Sequence, residues 1–316
     1  MTDDFDSEDV QRLQARLGDV REQIRRRIVG QEHVVEQVLT CMLCDGNALL
    51  ESTPGLGKTL LVRTIADATD LEFSRIQNTP DLMPSDVTGT EIIREDADGR
   101  DFVFDPGPVF ANLVLADEIN RATPKTQAAL LEAMQEKQVT AGGETYALPE
   151  PFFVLATQNP IDQEGTYQLP EAQSDRFLLK ILLDYPDADD EAEIVDRYTT
   201  RLDDEISVER VLDGPRLREA QRLVRQVPIA IDLRDRALSL VRATREADRL
   251  EYGASPRASM GLVVAGKARA FLHGRTHVTE DDVETMAPPV LRHRVVVDFR
   301  AERDGVTPDD VVRDLL

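Results

Sequence analysis

The sequence predicts an α/β fold in which a parallel central sheet lies between two layers of helices, followed by a smaller all-helical domain. Between residues 28 and 184, short apolar runs alternate with helical patterns, as the strands of a parallel sheet alternate with their connecting helices. A polar break follows, and beyond residue 191 helical patterns occur with hardly any strand pattern. We therefore expect an acidic helical segment over 1–27, an α/β domain over 28–186 and a helical domain over 187–316.

The first strand and the turn after it form the most informative pattern. The apolar run 46–50 predicts a buried strand, and a helical pattern begins at Lys58. A strand, a glycine-rich turn and a helix in this order are the context of a phosphate-binding P-loop. Gly55 and Gly57 allow the backbone to approach an anion closely. Lys58 is expected to contact the β- and γ-phosphates of a nucleotide, and the Thr59 hydroxyl is expected to bind Mg²⁺.

One residue departs from the P-loop pattern. The pattern G-x-x-x-x-G-K-[ST] has glycine at position 52, where this chain has Ser52. If the position requires a positive φ, serine costs on the order of 1 kcal/mol there. We expect this departure to weaken the loop without abolishing phosphate binding.

A second apolar strand, over residues 113–117, ends in the acidic pair Asp117-Glu118. Ligands of open α/β sheets bind at the carboxyl ends of the strands. We expect Asp117 to hold Mg²⁺ through water, and Glu118 to orient and deprotonate an attacking water. A phosphotransfer kinase needs no second carboxylate at this place, so the pair favours hydrolysis of the nucleotide.

Three further polar residues are candidates for the same chemistry. The apolar run 152–158 ends at Asn159, which we predict to sense the γ-phosphate or the attacking water, the alternative being an asparagine that merely ends a strand. Arg176 precedes another apolar strand, and Arg257 opens a helix far down the chain. An arginine that stabilises charge on a transferred phosphoryl group contributes about 10³–10⁵ in rate. Taken singly, each of these arginines is more typical of a protein surface.

Together, these segments resemble the MoxR-type AAA+ ATPases of the helix-two-insertion clade. The resemblance implies a P-loop NTPase (AAA+) three-layer sandwich with a helical lid, using ATP and Mg²⁺. It covers most of residues 25 to 300 in the order of the family, and the segments that carry it are 28–32, 51–59, 81–89, 107–110, 117–122, 125–134, 156–160, 169–173, 175–177 and 253–258.

The resemblance implies residue roles that the residues alone do not show. By it, Arg176 is the arginine finger that reaches the nucleotide of a neighbouring subunit in a homo-oligomeric, hexameric ring. Arg257 is a second sensor carried on the lid, and Arg121 serves the subunit interface. The catalytic residues implied are Glu118, Asn159, Arg176 and Lys58. The nucleotide-binding residues implied are Gly30, Gln31, Thr53, Pro54, Gly55, Leu56, Gly57, Lys58, Thr59, Leu60, Asp117 and Arg257, with Gly30 and Gln31 bracketing the adenine mainly through backbone.

The resemblance also implies work on other proteins: a chaperone-like remodelling or maturation factor with a von Willebrand factor A-domain partner. Two hairpins are predicted, over 90–104 and 138–147, and in related machines such hairpins face a central pore. Their tips carry Asp96, Asp98, Arg100 and Glu144, a poor surface for phosphate backbones, which disfavours nucleic acid as a partner. A nucleic-acid-dependent motor ATPase and a chelatase-type ATPase subunit stay open as alternatives.

The charge of the chain indicates the salt concentration in which the protein works. The formal net charge is −23, from 60 acidic against 37 basic residues, and the acids are spread over the whole length. With lysine scarce, this composition resembles haloarchaeal proteins, which work in a cytoplasm of concentrated salt where the Debye length is ~3 Å. No signal peptide and no stretch of 18 apolar residues occur, so we expect a cytoplasmic protein without a membrane span.

This interpretation predicts that dilute buffer destabilises the protein. Because its self-repulsion is screened only by salt, we expect partial unfolding or loss of the oligomer at low ionic strength. Thermal melts in dilute and in molar KCl test this, and equal stability in both would contradict it.

The two cysteines, Cys41 and Cys44, have the spacing of a redox or zinc motif but lie in an apolar helical stretch over 34–44. Since no second pair accompanies them, we predict buried thiols.

Overall fold

The protein is described from a computed structural model that covers residues 7–96, 99–160, 166–199 and 206–316. The elements of its first part follow the chain in this order: α1 (Ser7–Arg27), α2 (Glu32–Leu43), β1 (Ala48–Ser52), α3 (Lys58–Thr69), β2 (Phe73–Gln77), α4 (Pro84–Thr88), β3 (Gly89–Asp96), β4 (Gly99–Pro106), β5 (Leu113–Asp117), a 3-10 turn (Ile119–Arg121), α5 (Pro124–Glu136), β6 (Gln138–Ala141), β7 (Glu144–Ala147), β8 (Phe153–Gln158), α6 (Glu171–Ser174) and β9 (Leu179–Leu183).

A parallel sheet with the strand order β2-β5-β8-β1-β9 forms the centre of this part. Alternate residues of its strands face two separate apolar cores, because successive side chains of a strand point to opposite faces. In β5, for example, Leu113 and Leu115 belong to one core, while Val114 and Ala116 belong to the other. Helices cover both faces, so the predicted three-layer sandwich is confirmed.

Helix α1 packs on the core of its own chain. Its apolar residues Leu13, Leu17, Val20 and Ile24 are almost fully buried, and the helix contacts α3, α8 and α10. The sequence pattern predicts a charged helix from Val10 to Arg27 that packs on a neighbouring subunit or on the core. The helix begins at Ser7 and covers its own core.

Both predicted hairpins are present. β3 and β4 pair in antiparallel register directly after α4, and β6 and β7 pair after α5 with Gly142 and Gly143 in the turn. Of the residues predicted at the first tip, Asp98 lies outside the described residues, as do the side chains of Asp96 and Arg100.

Over residues 187–199 and 206–316, the second part is helical except for one small sheet. Its elements are α7 (Ala188–Thr199), α8 (Gly214–Gln226), α9 (Ile231–Ala243), β10 (Leu250–Tyr252), α10 (Pro256–Leu272), α11 (Glu280–Leu291), β11 (Val296–Val297), α12 (Phe299–Arg303) and α13 (Pro308–Leu315). Among the described residues, none of the helices is both long enough and apolar enough to cross a membrane.

The sequence pattern predicts a short helix that is capped by residues 279–282 and ends before Pro288. This boundary was wrong, because α11 continues through Pro288 and Pro289 to Leu291. Each proline removes one helical hydrogen bond, but the capping box of Thr279 with Asp282 and the burial of the last turn stabilise the helix. The antiparallel pair of β10 and β11 was missed because strands of three and two residues carry no alternation pattern.

The prediction of buried thiols is confirmed. Cys41 and Cys44 are free and buried in α2 and at its end. Burial raises the pKa of the Cys41 thiol well above its ordinary value and that of Cys44 to about 12. Neither thiol is therefore ionised near neutral pH, which excludes a nucleophilic role.

A buried carboxylate joins α10 and α11. Asp282 is fully buried and accepts hydrogen bonds from Arg275 (2.6 Å from both of its carboxylate oxygens), from the Thr279 N–H (2.9 Å) and from Arg269 (2.9 Å). Burial acts to raise the pKa of Asp282, but the bonds from Arg275, Thr279 and Arg269 outweigh it and lower that pKa below its ordinary value. Because the folded pKa lies below the unfolded value of about 4, the stabilisation is complete above pH ~4 and is lost as the pH falls through the folded value.

We expect Asp282→Asn to lower stability at pH 7 by about 3–5 kcal/mol, because it removes one partner of a buried charge cluster. The difference from wild type should shrink below pH ~4, where the wild-type carboxyl begins to take up its proton. Chemical unfolding curves at pH 7 and at pH 3 measure both effects. Asp281→Asn is the matched control, since Asp281 also pairs with Arg269 but its side chain is 72% exposed. A difference that does not change with pH would contradict this account.

Candidate active site

The predicted phosphate loop connects β1 to α3, as the sequence indicates. Gly55 and Gly57 have φ of 87° and 75°, in the left-handed region that L side chains rarely adopt. No heavy atom lies within 4 Å of where a Cβ would be at either glycine, so the backbone conformation, rather than crowding, requires glycine. The Lys58 ammonium donates a hydrogen bond to the Thr53 carbonyl at 3.3 Å. The loop thus places this cation beside the N-terminus of α3, where backbone N–H groups are free to bind an anion.

The departure at Ser52 carries no backbone strain. Ser52 is the last residue of β1, is paired with Leu183 of β9, and is not among the residues with positive φ. It is buried, and its hydroxyl donates to the Thr53 carbonyl at 3.2 Å. The expected cost of serine therefore does not arise at this position.

A mainly apolar cavity of ≈ 390 Å³ lies against the loop. The loop residues Pro54, Gly55, Leu56 and Gly57, together with Leu60, form one wall of it. The opposite wall comes from the segment before α2 and from the first turns of the helical part, and its residues are Arg27, Ile28, Val29, Gln31, Tyr185, Pro186, Glu191, Ile194, Val195 and Tyr198. An apolar cavity of this size beside an anion-binding loop suits a nucleotide base and its sugar.

The two residues predicted to bracket the adenine differ in position. Gln31 lines the cavity, with φ of 55°. Gly30 is not among the lining residues and lies against α7 instead. A Cβ at Gly30 would come within 2.1 Å of Asp190 Oδ2, the movable end of a side chain, so the φ of 63° rather than this contact favours glycine there.

The predicted acid pair lies at the carboxyl edge of the sheet. Asp117 ends β5 and is buried, and its carboxylate accepts from the Thr157 hydroxyl (2.7 Å, to Oδ1) and from Arg75 (2.6 Å, to Oδ2). Glu118 follows with φ of 54°, and its carboxylate pairs with Arg121 at 2.9 Å. Carboxylate and hydroxyl oxygens are what Mg²⁺ prefers, and each Asp117 oxygen keeps a second lone pair, so Asp117 with Thr59 fits this ion.

The order of strands brings the candidate groups together. Asn159 directly follows β8, which lies between β1 and β5. The amide is thus carried between the phosphate loop after β1 and the acid pair after β5. This is where a sensor of the terminal phosphate has to lie.

Thr157 is a positioning residue that the sequence did not reveal. Its fully buried hydroxyl donates to Asp117 Oδ1 and accepts from the Glu118 N–H at 2.8 Å, so one atom fixes both acids. Arg75 was missed as well. A threonine in an otherwise apolar strand next to the acid pair is the one signal that could have identified Thr157.

We expect Thr157→Val to lower ATP turnover about 10- to 100-fold, because an isosteric side chain without the hydroxyl releases both acids from their fixed positions. ATP affinity should change little. Thr157→Ser, which keeps the hydroxyl, should stay near wild type, and steady-state kinetics of the three proteins measure the contrast. Equal turnover of the valine and serine variants would show that the hydroxyl positions nothing.

The two candidate arginines lie apart from the cavity. Arg176 is half-buried between α6 and β9, and the part of the chain that the structure describes supplies no ion-pair partner for it. Arg257, in the first turn of α10, has its guanidinium 3.7 Å from Asp175. Neither lines the cavity of its own chain. Both are linked to Asp175: Arg176 follows it in the chain, and Arg257 contacts its carboxylate.

Comparison with known proteins shows the family to which the chain belongs. Residues 47–179 match the ATPase family associated with various cellular activities (AAA), and residues 242–315 match the AAA lid domain. The chain is 43% identical to the chaperone MoxR1 of Mycobacterium tuberculosis over 304 residues, covering 93% of this chain and 79% of that protein. It belongs to the MoxR family of AAA ATPases.

Two further similarities agree with the MoxR assignment. The MoxR protein of Methylorubrum extorquens is 32% identical over 322 residues, covering 91% of this chain and 90% of that protein. A crystal structure from Cytophaga hutchinsonii, of a protein assigned as an ATPase, superposes with a TM-score of 0.91 at 40% identity and covers 98% of this chain and 95% of that one. As a MoxR-family AAA ATPase, the chain binds and hydrolyses ATP.

Proposed function

We propose that this MoxR-family ATPase is Mg²⁺-dependent, works as a homo-oligomeric ring, hexameric by family resemblance, and remodels or matures partner proteins. The observation that supports the ring is the separation of Arg176 from the other candidate catalytic residues of its own chain. The phosphate loop, the acid pair and the amide follow the carboxyl ends of their strands, whereas Arg176 precedes β9, which runs parallel to β1, and so lies towards the amino end of the sheet. A neighbouring subunit would therefore supply the finger.

The residues divide the hydrolytic work as follows. Lys58 and the N-terminus of α3 bind the β- and γ-phosphates, and Asn159 senses the terminal one. Glu118 orients the attacking water and takes its proton. Asp117 and Thr59 would hold Mg²⁺, which would supply neutralisation of the charge on the phosphates. Arg176 of the neighbour stabilises the charge on the transferred phosphoryl group, and Arg257 acts as a second sensor on the lid, for the nucleotide of its own subunit or of a neighbour.

The hairpin β3–β4 supports a protein client over a nucleic acid. Ile93 and Phe102 are directly opposite in its register and are 62% and 74% exposed. Such a pair suits the apolar side chains of a protein and offers nothing to a phosphate backbone, which requires lysine and arginine. The position of this hairpin directly after α4 supports the helix-two-insertion clade, whose resemblance implies the partner with a von Willebrand factor A domain. The acidity of the chain supports work in a salt-rich cytoplasm.

The test of the ring is the rate of ATP hydrolysis per subunit, measured against protein concentration in molar KCl with Mg²⁺ and with excess EDTA. A rate that climbs with concentration and disappears with EDTA is the expected result. A measurable rate that stays flat from dilute to micromolar protein, in a sample that sedimentation shows to be monomeric, would contradict the shared site.

A further inference from the structure

Arg294, between α11 and β11, holds the segment that carries Arg176. Its side chain is 2% exposed, and its Nε donates to Asp175 Oδ1 at 2.8 Å. One terminal nitrogen donates to the Leu178 carbonyl (2.9 Å) and to the Val290 carbonyl, and the other donates to the carbonyls of Asp175 (3.3 Å) and Phe177. A guanidinium has five N–H donors, and here all five have acceptors. Four of the five acceptors lie in residues 175–178.

Neighbouring residues of the helical part reinforce this attachment. His293 Nε2 lies 3.0 Å from the Phe177 carbonyl, and since a carbonyl only accepts, Nε2 carries the proton. Burial lowers the pKa of His293 well below its ordinary value, so the ring stays neutral near pH 7. Ser255 donates to Asp175 Oδ2 at 3.3 Å, next to Arg257. The residues before and after Arg176 are thus held by the helical part, while the Arg176 side chain itself has no described ion-pair partner.

The chemistry of this attachment favours geometry over stability as its role. Removing an arginine side chain from water is costly, and apolar residues of similar volume often stabilise a buried position equally well. What a guanidinium adds is a rigid planar fork that fixes several acceptors at once. An arginine that must meet a phosphoryl group in another subunit depends on such fixation, because a 1 Å misplacement can cost 10²-fold in rate.

We infer that Arg294 is a positioning residue for the finger: it binds the backbone on both sides of Arg176 to the helical lid, so that the finger follows the lid of its own subunit. The inference rests on the proposed function, since it needs Arg176 to act on a neighbour. It makes the lid of one subunit a determinant of hydrolysis in the next.

The test uses mixed rings in which one kind of subunit supplies Arg176 (the donor) and the other kind supplies the ATP site that Arg176 completes. Lys58→Ala subunits keep the finger and lose their own site, and Arg176→Ala subunits keep the site and lose the finger. Each alone should be inactive, and the mixture should regain turnover at the Arg176→Ala sites. Size-exclusion chromatography verifies that the subunits assemble together.

Adding Arg294→Met to the Lys58→Ala donor should then lower the regained turnover at least tenfold, with the KM for ATP unchanged. Arg294→Lys, which keeps the charge without the fork, should fall between, and it serves if the methionine variant does not fold. The matched control is Arg292→Met in the donor. The side chain of Arg292 is only 11% exposed, but it pairs with Asp309 and donates to the Lys180 carbonyl, and none of its hydrogen bonds goes to residues 175–178.

The outcomes separate the two proposals. If Lys58→Ala and Arg176→Ala subunits assemble and do not complement, the finger in trans is wrong. If they complement and the Arg294 donors are as active as the Arg292 control, only the positioning role of Arg294 is wrong. A fall in turnover shared equally by the Arg292 and Arg294 donors would mean a general loss of stability and would also overturn the inference.

Discussion

Glu118→Gln should bind ATP about as well as wild type while its turnover falls by about 10²–10⁴-fold. The amide has nearly the shape of the carboxylate and preserves the binding surface, but it cannot take a proton from the attacking water, and general-base catalysis is worth this factor. The position is well defined, since Glu118 has φ of 54° and its N–H donates to the Thr157 hydroxyl. The variant should therefore trap ATP.

Turnover and nucleotide binding have to be measured on the same preparation, with single-turnover experiments to show that ATP remains intact in the site. Glu132→Gln is the matched control, because it makes the same chemical change on an exposed position of α5. If Glu118→Gln hydrolysed ATP within a few-fold of the control, Glu118 could not be the base, and another group would have to take the proton.

The ion pair between Glu118 and Arg121 adds a detail to this expectation. Arg121 donates to the Glu118 carboxylate at 2.9 Å, so in this arrangement the base is partly occupied. The pair is about one-third exposed on the arginine side and is worth little by itself in water. Withdrawal of Arg121 towards a neighbouring subunit would free the carboxylate. The interface role implied for Arg121 therefore stays a prediction and becomes more specific.

The parts of the site that are local in sequence could be predicted, because their chemistry lies within a few consecutive residues. A strand, two glycines and Lys58 define the loop, and an apolar strand ending in Asp117 defines the acid edge. The sheet is parallel, so both had to lie at its carboxyl edge. No knowledge of the packing was needed for these inferences.

The contacts that position the site could not be predicted, because they join residues far apart in the chain. Arg294 and Asp175 are 119 positions apart, and Thr157 and Asp117 are 40 apart. Arginine and threonine occur throughout the surface of this acidic chain, so the residue type alone does not single them out. Only the packing of the lid on the sheet shows that Arg294 is buried and that its five donors converge on the finger segment.

Arg176→Ala should bind ATP normally and lose hydrolysis by about 10³-fold or more, the effect of removing an arginine that stabilises the transferred phosphoryl group. The loss of hydrolysis should appear only in the assembled state, in which Arg176 of one subunit reaches the nucleotide of the next. Adding an excess of Lys58→Ala subunits, which bring an intact finger but no functional site, should restore turnover. Isothermal binding of ATP and turnover across mixing ratios measure the two effects, and Arg216→Ala is the matched control because Arg216 is an exposed arginine of α8 paired with Glu219.

The mixing ratio distinguishes the candidates for the finger. Arg176 and Arg121 are both candidates, but Arg121 also pairs with Glu118 of its own chain, at 2.9 Å. A finger supplied in trans is restored by neighbours, because the damaged subunit still holds an intact base. A residue that acts within its own subunit is not restored at any ratio. If Arg176→Ala hydrolysed ATP at the rate of the control, Arg121 would become the candidate, and its alanine variant should then be rescued by neighbours in the same experiment.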